Sequence, residues 1–385
     1  MPPARCGLAT FNADLIEAVR RAEPDTVACP IAVRQAGEEP DRRADGAAAE
    51  ARFEDPDSYD RLAGVVDRLD LLCVQHEYGI FGGADGEHLL CLLERCRTPV
   101  VAVLHTVLDA PSPNQKRVMD AIVARAERLV VMTERSAAVM RQVHDVPERR
   151  LAVIPHGIPD RVPTDRGAGI ALMGSAGRRA LLTFGLLSPG KGIEHAVAAL
   201  PAIARAVPDV LYVVMGATHP NLLRRDGERY RDGLRALAER LGVGDRLRFV
   251  NRYVDLPELT AALAAAELYL TPYLNEAQSV SGTLAYSVGL GSAVVSTPYH
   301  HAAELLAGGR GALVPFADPP AIAEAVTGLL SDPVRLGAMR EAALAAGREM
   351  GWGRVGQRYA ALFREAMAAP AGPDWRGLAG SAAVA

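Results

Sequence analysis

The sequence predicts an α/β protein of two Rossmann-like domains facing across a cleft. Apolar runs of strand length alternate with helical patterns through nearly all of the 385 residues, the alternation that builds parallel sheets. Polar or glycine-rich turns follow most of these strands, as they do where ligands bind at the carboxyl edge of an open sheet. A Gly-, Pro- and charge-rich stretch over 161–178 divides the pattern in two. The expected organisation is a first domain over 1–160, a linker over 161–178, a second domain over 179–350, and a closing segment over 351–385 that returns to the first domain and ends in a frayed tail. Domains of about 150–200 residues suit this length.

Composition narrows the classes of function. Apolar residues make up 49% and charged residues 23%, enough apolar material for both cores. The net charge of -4 offers no basic field, and no aromatic-plus-basic stripe occurs, so nucleic acid is not an expected partner. The cysteine count of 5 is odd; Cys29, Cys73, Cys91 and Cys96 sit in apolar runs and no CxxC pair occurs, so they read as small core residues. Without a signal peptide or an apolar run near eighteen residues, the expected location is cytoplasmic. No Lys/Arg-rich, apolar-faced segment supports a peripheral membrane contact. Self-association stays open.

In chain order, Pro2 and Pro3 exclude helix, and Gly7 then leads into Phe11, Leu15 and Val19 at helical spacing. This is loop then helix, with no strand ahead of it. Val27 to Val33 reads as a strand, and Gln35 to Asp57 as an exposed loop. Asp55-Pro56-Asp57 imitates a metal-binding acid pair, yet it lies in polar surface, so no metal is assigned. Leu69 to Val74 is a strand that runs into Gln75-His76-Glu77-Tyr78-Gly79. A polar cluster directly after a buried strand makes His76, Glu77 and Tyr78 candidates to bind a ligand's hydroxyls or position a charge, against the plainer reading of a structural histidine. Val100 to Leu104 delivers His105 to the same edge. Arg128 to Met132 and Leu151 to Pro155 are the next strands, and His156-Gly157-Ile158-Pro159 closes the domain.

The second domain opens with Ala180 to Phe184 and then Gly185-Leu186-Leu187-Ser188-Pro189-Gly190-Lys191-Gly192. A strand, a glycine turn and a lysine at a helix N-terminus form a phosphate site, because amide groups and an ammonium converge on one anion. The spacing is not that of a Walker loop. Leu211 to Met215 and Leu247 to Val250 are further strands, the second ending near Arg252, and Glu258 to Ala266 is a short helix. The richest stretch runs from Leu268 to Glu304. An apolar strand breaks at Pro272, presents Glu276, and enters a helix through Ser279, Ser281, Gly282 and Thr283. The small residues Ser281, Gly282, Ala285, Ser287 and Gly289 let backbone approach an anion closely. Gly311 to Pro315 is a last strand, followed by helices from Pro320.

These motifs resemble the group-one family of retaining glycosyltransferases with the GT-B fold, along nearly the whole chain. The resemblance implies that Glu276 contacts donor-sugar hydroxyls, that Glu304 is the second acid after the next strand, and that His105 contacts the donor sugar near the reacting carbon. It implies that Lys191 neutralises the leaving diphosphate and that Gly7 belongs to a loop over it; the plain alternative for Gly7 is a helix entry. Two departures stand out. Leu284 occupies the place of the family's ribose-binding glutamate, for which Ser279, Ser281 or Thr283 are candidates. Leu186 occupies the place of its phosphate-binding arginine, for which Arg224, Arg225 or Arg252 are candidates. The family also has a strand ahead of the Gly7 loop.

The function implied is transfer of a hexosyl unit from a GDP- or UDP-linked sugar to a hydroxyl of a small molecule or saccharide. The nucleotide sugar is a co-substrate and no other cofactor or metal is expected. The rivals are a disaccharide phosphorylase of the same fold and a non-catalytic sugar-binding subunit.

Overall fold

The computed structural model describes residues 7–35, 47–160 and 165–368. The chain forms two compact units, residues 1–157 with 352–385, and residues 158–351. Pro2, Pro3, part of the expected loop and linker, and the tail beyond Ala368 lie outside the described residues.

The first unit begins with α1 (Gly7–Ala22), whose Phe11, Leu15, Ala18 and Val19 are buried along one face. No described strand precedes it. β1 (Ile31–Arg34) and β2 (Ala49–Arg52) pair in parallel, so the expected loop over 35–57 contains a strand. It also contains the start of α2 (Pro56–Val66). Asp55 caps that helix by accepting from the Asp57 amide at 3.1 Å and pairs with Arg61 at 2.8 Å.

β3 (Leu72–His76), α3 (His88–Arg95), β4 (Val100–Leu104), α4 (Pro113–Arg125), β5 (Arg128–Val131), α5 (Glu134–His144) and β6 (Leu151–Val153) follow in alternation. Their sheet has the order β3-β4-β5-β6, with every adjacent pair parallel. β4 is apolar throughout and buried at every position, as a parallel strand covered on both faces must be. The helix Trp352–Ala368 belongs to this unit. It approaches α1 so closely that a Cβ on Gly356 would lie 2.5 Å from the Ala18 carbonyl oxygen.

The first helix of the second unit, α6 (Arg166–Met173), lies inside the stretch expected to be linker. Asp165 caps it by accepting from the Gly167 amide at 2.9 Å, and Gly174 ends it at φ 59°. The elements that follow are β7 (Arg179–Phe184), α7 (Ile193–Ala206), β8 (Val210–Met215), α8 (Pro220–Asp226), α9 (Arg229–Arg240), β9 (Leu247–Val250) and α10 (Leu256–Ala265). Then come β10 (Leu268–Thr271), α11 (Gly282–Gly289), β11 (Val294–Ser296), α12 (His300–Leu305), β12 (Ala312–Leu313), α13 (Pro319–Leu330) and α14 (Pro333–Met350).

The strand order is β12-β11-β10-β7-β8-β9, all parallel. The chain winds one way from β7 and then the other way from β10. The order therefore reverses between β7 and β10, the place where a doubly wound sheet leaves a crevice beyond its strand ends. No helix among the described residues is long and apolar enough to cross a membrane.

Candidate functional site

The crevice of the second unit is lined by the ends of three neighbouring strands, β10, β7 and β8. β7 leaves through Gly185 at φ 123°, a conformation side chains resist. Gly216, at the end of β8, packs against it: a Cβ there would meet the Gly185 carbonyl oxygen at 2.0 Å. The two loops then run on as a seam, with the Leu187 amide donating to Ala217 O at 2.9 Å and the His219 amide to Leu187 O at 3.0 Å. A 3-10 turn, Pro189–Lys191, carries the chain into α7.

On the other side the Leu274 amide donates to Gly190 O at 3.0 Å. A Cβ on Gly192 would lie 2.1 Å from Pro272 O. The Lys191 turn and the segment leading to Glu276 are thus fixed to each other by backbone. Where a Cβ on Gly190 would sit there is open space, so a ligand can approach the backbone.

Lys191 projects its Nζ to 3.8 Å from the centroid of the Tyr273 ring. Tyr273 is buried and stacks on Tyr299 at 5.2 Å. Its hydroxyl is 2.9 Å from Thr283 Oγ1, which is 3.0 Å from Ser281 Oγ. Ser281 caps α11 by accepting from the Leu284 amide at 3.3 Å. The result is an ammonium at the start of a row of hydroxyls that ends at the first turn of a helix, beside the half-buried Gly282 and Thr283.

Glu276 stands exposed on the turn before this row. The His300 amide donates to Glu276 O at 2.9 Å and the Ser281 amide to His301 Nδ1 at 2.8 Å. α12 is thereby stapled to the Glu276 turn, and Glu304 lies half-buried near its end.

The two departures also have structural reasons. Leu284 is 0% exposed in the core cluster with Tyr269, Ala285 and Val288. A carboxylate at that position would have to leave the core or lose its charge; of the candidates for its role, Ser281 and Thr283 lie in the hydroxyl row at the start of α11. Arg252, a candidate for the missing cation, turns both its Nη atoms to Glu258 and follows the edge strand β9 rather than β7 or β10. Arg225 pairs with Asp226 at 2.7 Å.

The first unit gathers a different set at the ends of β3 and β4. His105 Nε2 is 2.9 Å from Gln75 Oε1, so it donates to the amide oxygen. The ring meets Phe11 edge-on at 4.9 Å. Burial, with His156 and His76 adding to it, lowers its pKa to about 3 and keeps it neutral. Glu77 accepts from Thr106 Oγ1 at 2.6 Å and from the Tyr78 amide at 3.0 Å, and burial raises its pKa against both bonds.

His76 is not where an acceptor-binding residue should be. It is 0% exposed, stacked on Phe81 at 6.2 Å and edge-on to Tyr78 at 5.0 Å. Neither ring nitrogen has a hydrogen-bond partner among the described residues, and burial lowers its pKa to about 4. The Tyr78 hydroxyl is buried without a partner as well, so of the three residues only Glu77 joins a polar network. Gly7 is the first residue of α1 and faces open space; it is a helix entry in the described structure.

Tyr273, Tyr299 and Gln75 were not expected in these sites. Tyr273 had one signal, its place directly after Pro272 at a strand end, while the other two read as ordinary core or turn residues.

Known proteins share this arrangement of elements. Residues 6–161 match glycosyltransferase family 4 and residues 178–332 match glycosyl transferases group 1. A D-inositol 3-phosphate glycosyltransferase of Segniliparus rotundus is 27% identical over 293 residues, 71% of this chain and 62% of the relative. The chain thus matches less than two thirds of that relative's length. The Anabaena protein HepE in complex with UDP superposes with a TM-score of 0.74 at 17% identity, over 94% of this chain and 96% of its own. In complex with UDP and glucose it superposes with a TM-score of 0.72 at 16% identity, over 93% and 96%.

Proposed function

Because the chain belongs to the group 1 glycosyltransferases, with their GT-B fold, we propose that it moves a hexosyl unit from a UDP- or GDP-linked sugar to a hydroxyl of a small molecule or saccharide, with retention of configuration. The observation that carries this reading is the pinning of the Lys191 turn to the Glu276 segment at the switch point of the sheet, through Gly190 O and the Leu274 amide. An ammonium and a carboxylate held on adjacent strand ends suit a diphosphate joined to a sugar. The relatives add support: HepE was crystallised with UDP and with UDP and glucose.

In this reading Lys191, with the amides at the start of α7, stabilises the charge that develops on the departing diphosphate. Gly190 lets the phosphates approach the backbone, and Ser281, Gly282 and Thr283 meet the ribose and phosphates. Glu276 binds hydroxyls of the transferred sugar, Glu304 lies on the donor side, and His105 offers that sugar a neutral imidazole. Glu77 binds the acceptor. No carboxylate pair flanks a bond as in a glycosidase; the leaving phosphate takes the acceptor's proton, and the new bond forms on the face the diphosphate leaves.

The experiment is to incubate the protein with a panel of UDP- and GDP-sugars and hydroxyl acceptors, and to measure nucleoside diphosphate release and the anomeric configuration of the product. Lys191→Ala should lower turnover by at least about 100-fold, the scale of losing a main electrostatic stabiliser, with unchanged circular dichroism. Transfer at the wild-type rate by that variant would falsify the phosphate assignment. The buried Leu284 and the half-buried Leu186 keep a phosphorylase as the second reading. It is selected if the melting temperature rises with phosphate and a disaccharide and not with any nucleotide.

A further inference from the structure

Arg231, on the first turn of α9, has 0% exposure. Its sequence neighbourhood, Glu228-Arg229-Tyr230-Arg231-Asp232, reads as a solvated helix face. Yet its Nε donates to Glu228 Oε2 at 2.9 Å, and its Nη2 donates to Gly216 O at 3.1 Å and to Thr218 Oγ1 at 3.3 Å. Thr218 Oγ1 in turn donates to the same Glu228 oxygen at 2.5 Å. The guanidinium carbon lies 5.4 Å from the Phe249 ring centroid on β9. Nη1 has no hydrogen-bond partner among the described residues.

A buried guanidinium with an unmet donor is costly, and a whole buried ion pair replaced by apolar side chains often leaves stability unchanged, so burying this arginine is not explained by stability alone. Both contacts of its Nη2 fall on one turn, Gly216-Ala217-Thr218, and Glu228, which its Nε engages, also holds Thr218 of that turn. That turn forms the seam with the phosphate loop, through Ala217 O to the Leu187 amide and the His219 amide to Leu187 O. Four residues beyond Leu187 is Lys191.

We propose that Arg231 is a positioning residue for the donor site: with Glu228 and Thr218 it fixes the Gly216–Thr218 turn, and through the seam it sets the place of the Lys191 loop. The proposal deepens the nucleotide-sugar reading and rests on it for its functional half. Arg231 does not touch the diphosphate. It holds the backbone that presents the ammonium.

The test uses Arg231→Lys, Arg231→Met and Thr218→Val in the full chain, with UDP as the probe. Amide hydrogen exchange at Leu187 and His219 should speed at least tenfold in all three, while Leu182 in β7 and Val213 in β8 keep their protection. UDP affinity by calorimetry should fall about tenfold in the Arg231 variants and less in Thr218→Val. A merely structural arginine would speed exchange across β7 and β8 together with Leu187 and His219. Unchanged exchange at Leu187 and His219, or faster exchange there with UDP affinity within twofold of wild type, overturns the proposal. If the wild-type protein binds UDP too weakly to measure, GDP replaces it as the probe; if it binds neither, the nucleotide reading fails and the exchange measurement alone decides the role of Arg231. Thr218→Val keeps that decision open should both arginine variants fail to fold.

Discussion

The ring of Tyr273 holds the Lys191 ammonium at 3.8 Å while its hydroxyl engages Thr283, so one side chain places both the cation and the first hydroxyl of the row. These two duties can be separated. Tyr273→Phe keeps the ring and the stack on Tyr299 but removes the hydrogen bond, and donor KM should change by less than about threefold, matching a bond worth about 0.5 kcal/mol. Tyr273→Leu removes the cation–π contact, worth about 0.5–2 kcal/mol, and should lower kcat/KM between about 2- and 30-fold. Steady-state kinetics on the two variants check the ordering, and equal losses would show that the ring does not place the lysine. None of this could be read ahead of the structure, since a tyrosine after a strand-ending proline is as compatible with plain core packing. The place of Lys191 was legible because a glycine turn between strand and helix sets the residue at a strand end, where the structure has it beside Tyr273. His76 was misleading for the opposite reason: its neighbours have a binding-site composition, and only the fold shows the ring turned inward onto Phe81.

Among elements, the strands of both sheets were legible because parallel strands buried on both faces must be continuous apolar runs, as β4 and β8 are. What escaped notice lay in Ala-, Gly- and charge-rich sequence. β2 is the short segment Ala49–Arg52 with little apolar content, and it is set by its pairing with β1. α6 sits in a stretch rich in glycine, and its caps, Asp165 and Gly174, define it better than its interior does. Arg231 was invisible in the same way, one charge among many on a helix whose inward face is not apolar at that position. The turns, by contrast, announced themselves through glycine, and their constraint is testable at Gly216. With φ at 138° and the Gly185 carbonyl oxygen 2.0 Å from where a Cβ would sit, Gly216→Ala combines backbone strain of about 1–3 kcal/mol with a steric clash. The variant should lose at least about 2 kcal/mol of stability in urea unfolding and should also bind UDP more weakly, because the seam to Leu187 must shift. Gly190→Ala, facing open space, should keep wild-type stability and lose affinity alone.

At the scale of the whole molecule the first unit is closed by sequence nearly two hundred residues further on, the helix Trp352–Ala368. Trp352, Val355, Tyr359 and Leu362 are buried on it, together worth about 6–12 kcal/mol at about 1.5–3 kcal/mol each. That is as large as the whole stability of a typical domain, about 5–15 kcal/mol. A chain ending at Met350 should therefore lose the cooperative melting of the first unit, which calorimetry would show as a missing transition. The same unit buries His76, His105 and His156, with pKa values lowered by burial to about 4, 3 and 4. In the unfolded chain each titrates near 6.5. The folded state then binds fewer protons than the unfolded state between about pH 6.5 and pH 4, so stability is complete above that window and falls as pH falls through it. Each histidine adds a slope approaching about 1.4 kcal/mol per pH unit. Trp352 packs near His156 and Phe11, with ring centroids 6.4 and 5.3 Å away, so its fluorescence in a Trp375→Phe background reports this unit. Denaturation followed at pH 7.5 and pH 5.5 should show a large loss at the lower pH. His76→Phe should reduce that loss by about 1 kcal/mol or more without lowering stability at pH 7.5, because the ring it replaces has no hydrogen bond to lose. If the variant and the wild type lose the same stability between the two pH values, His76 is not neutral and enclosed in the native protein.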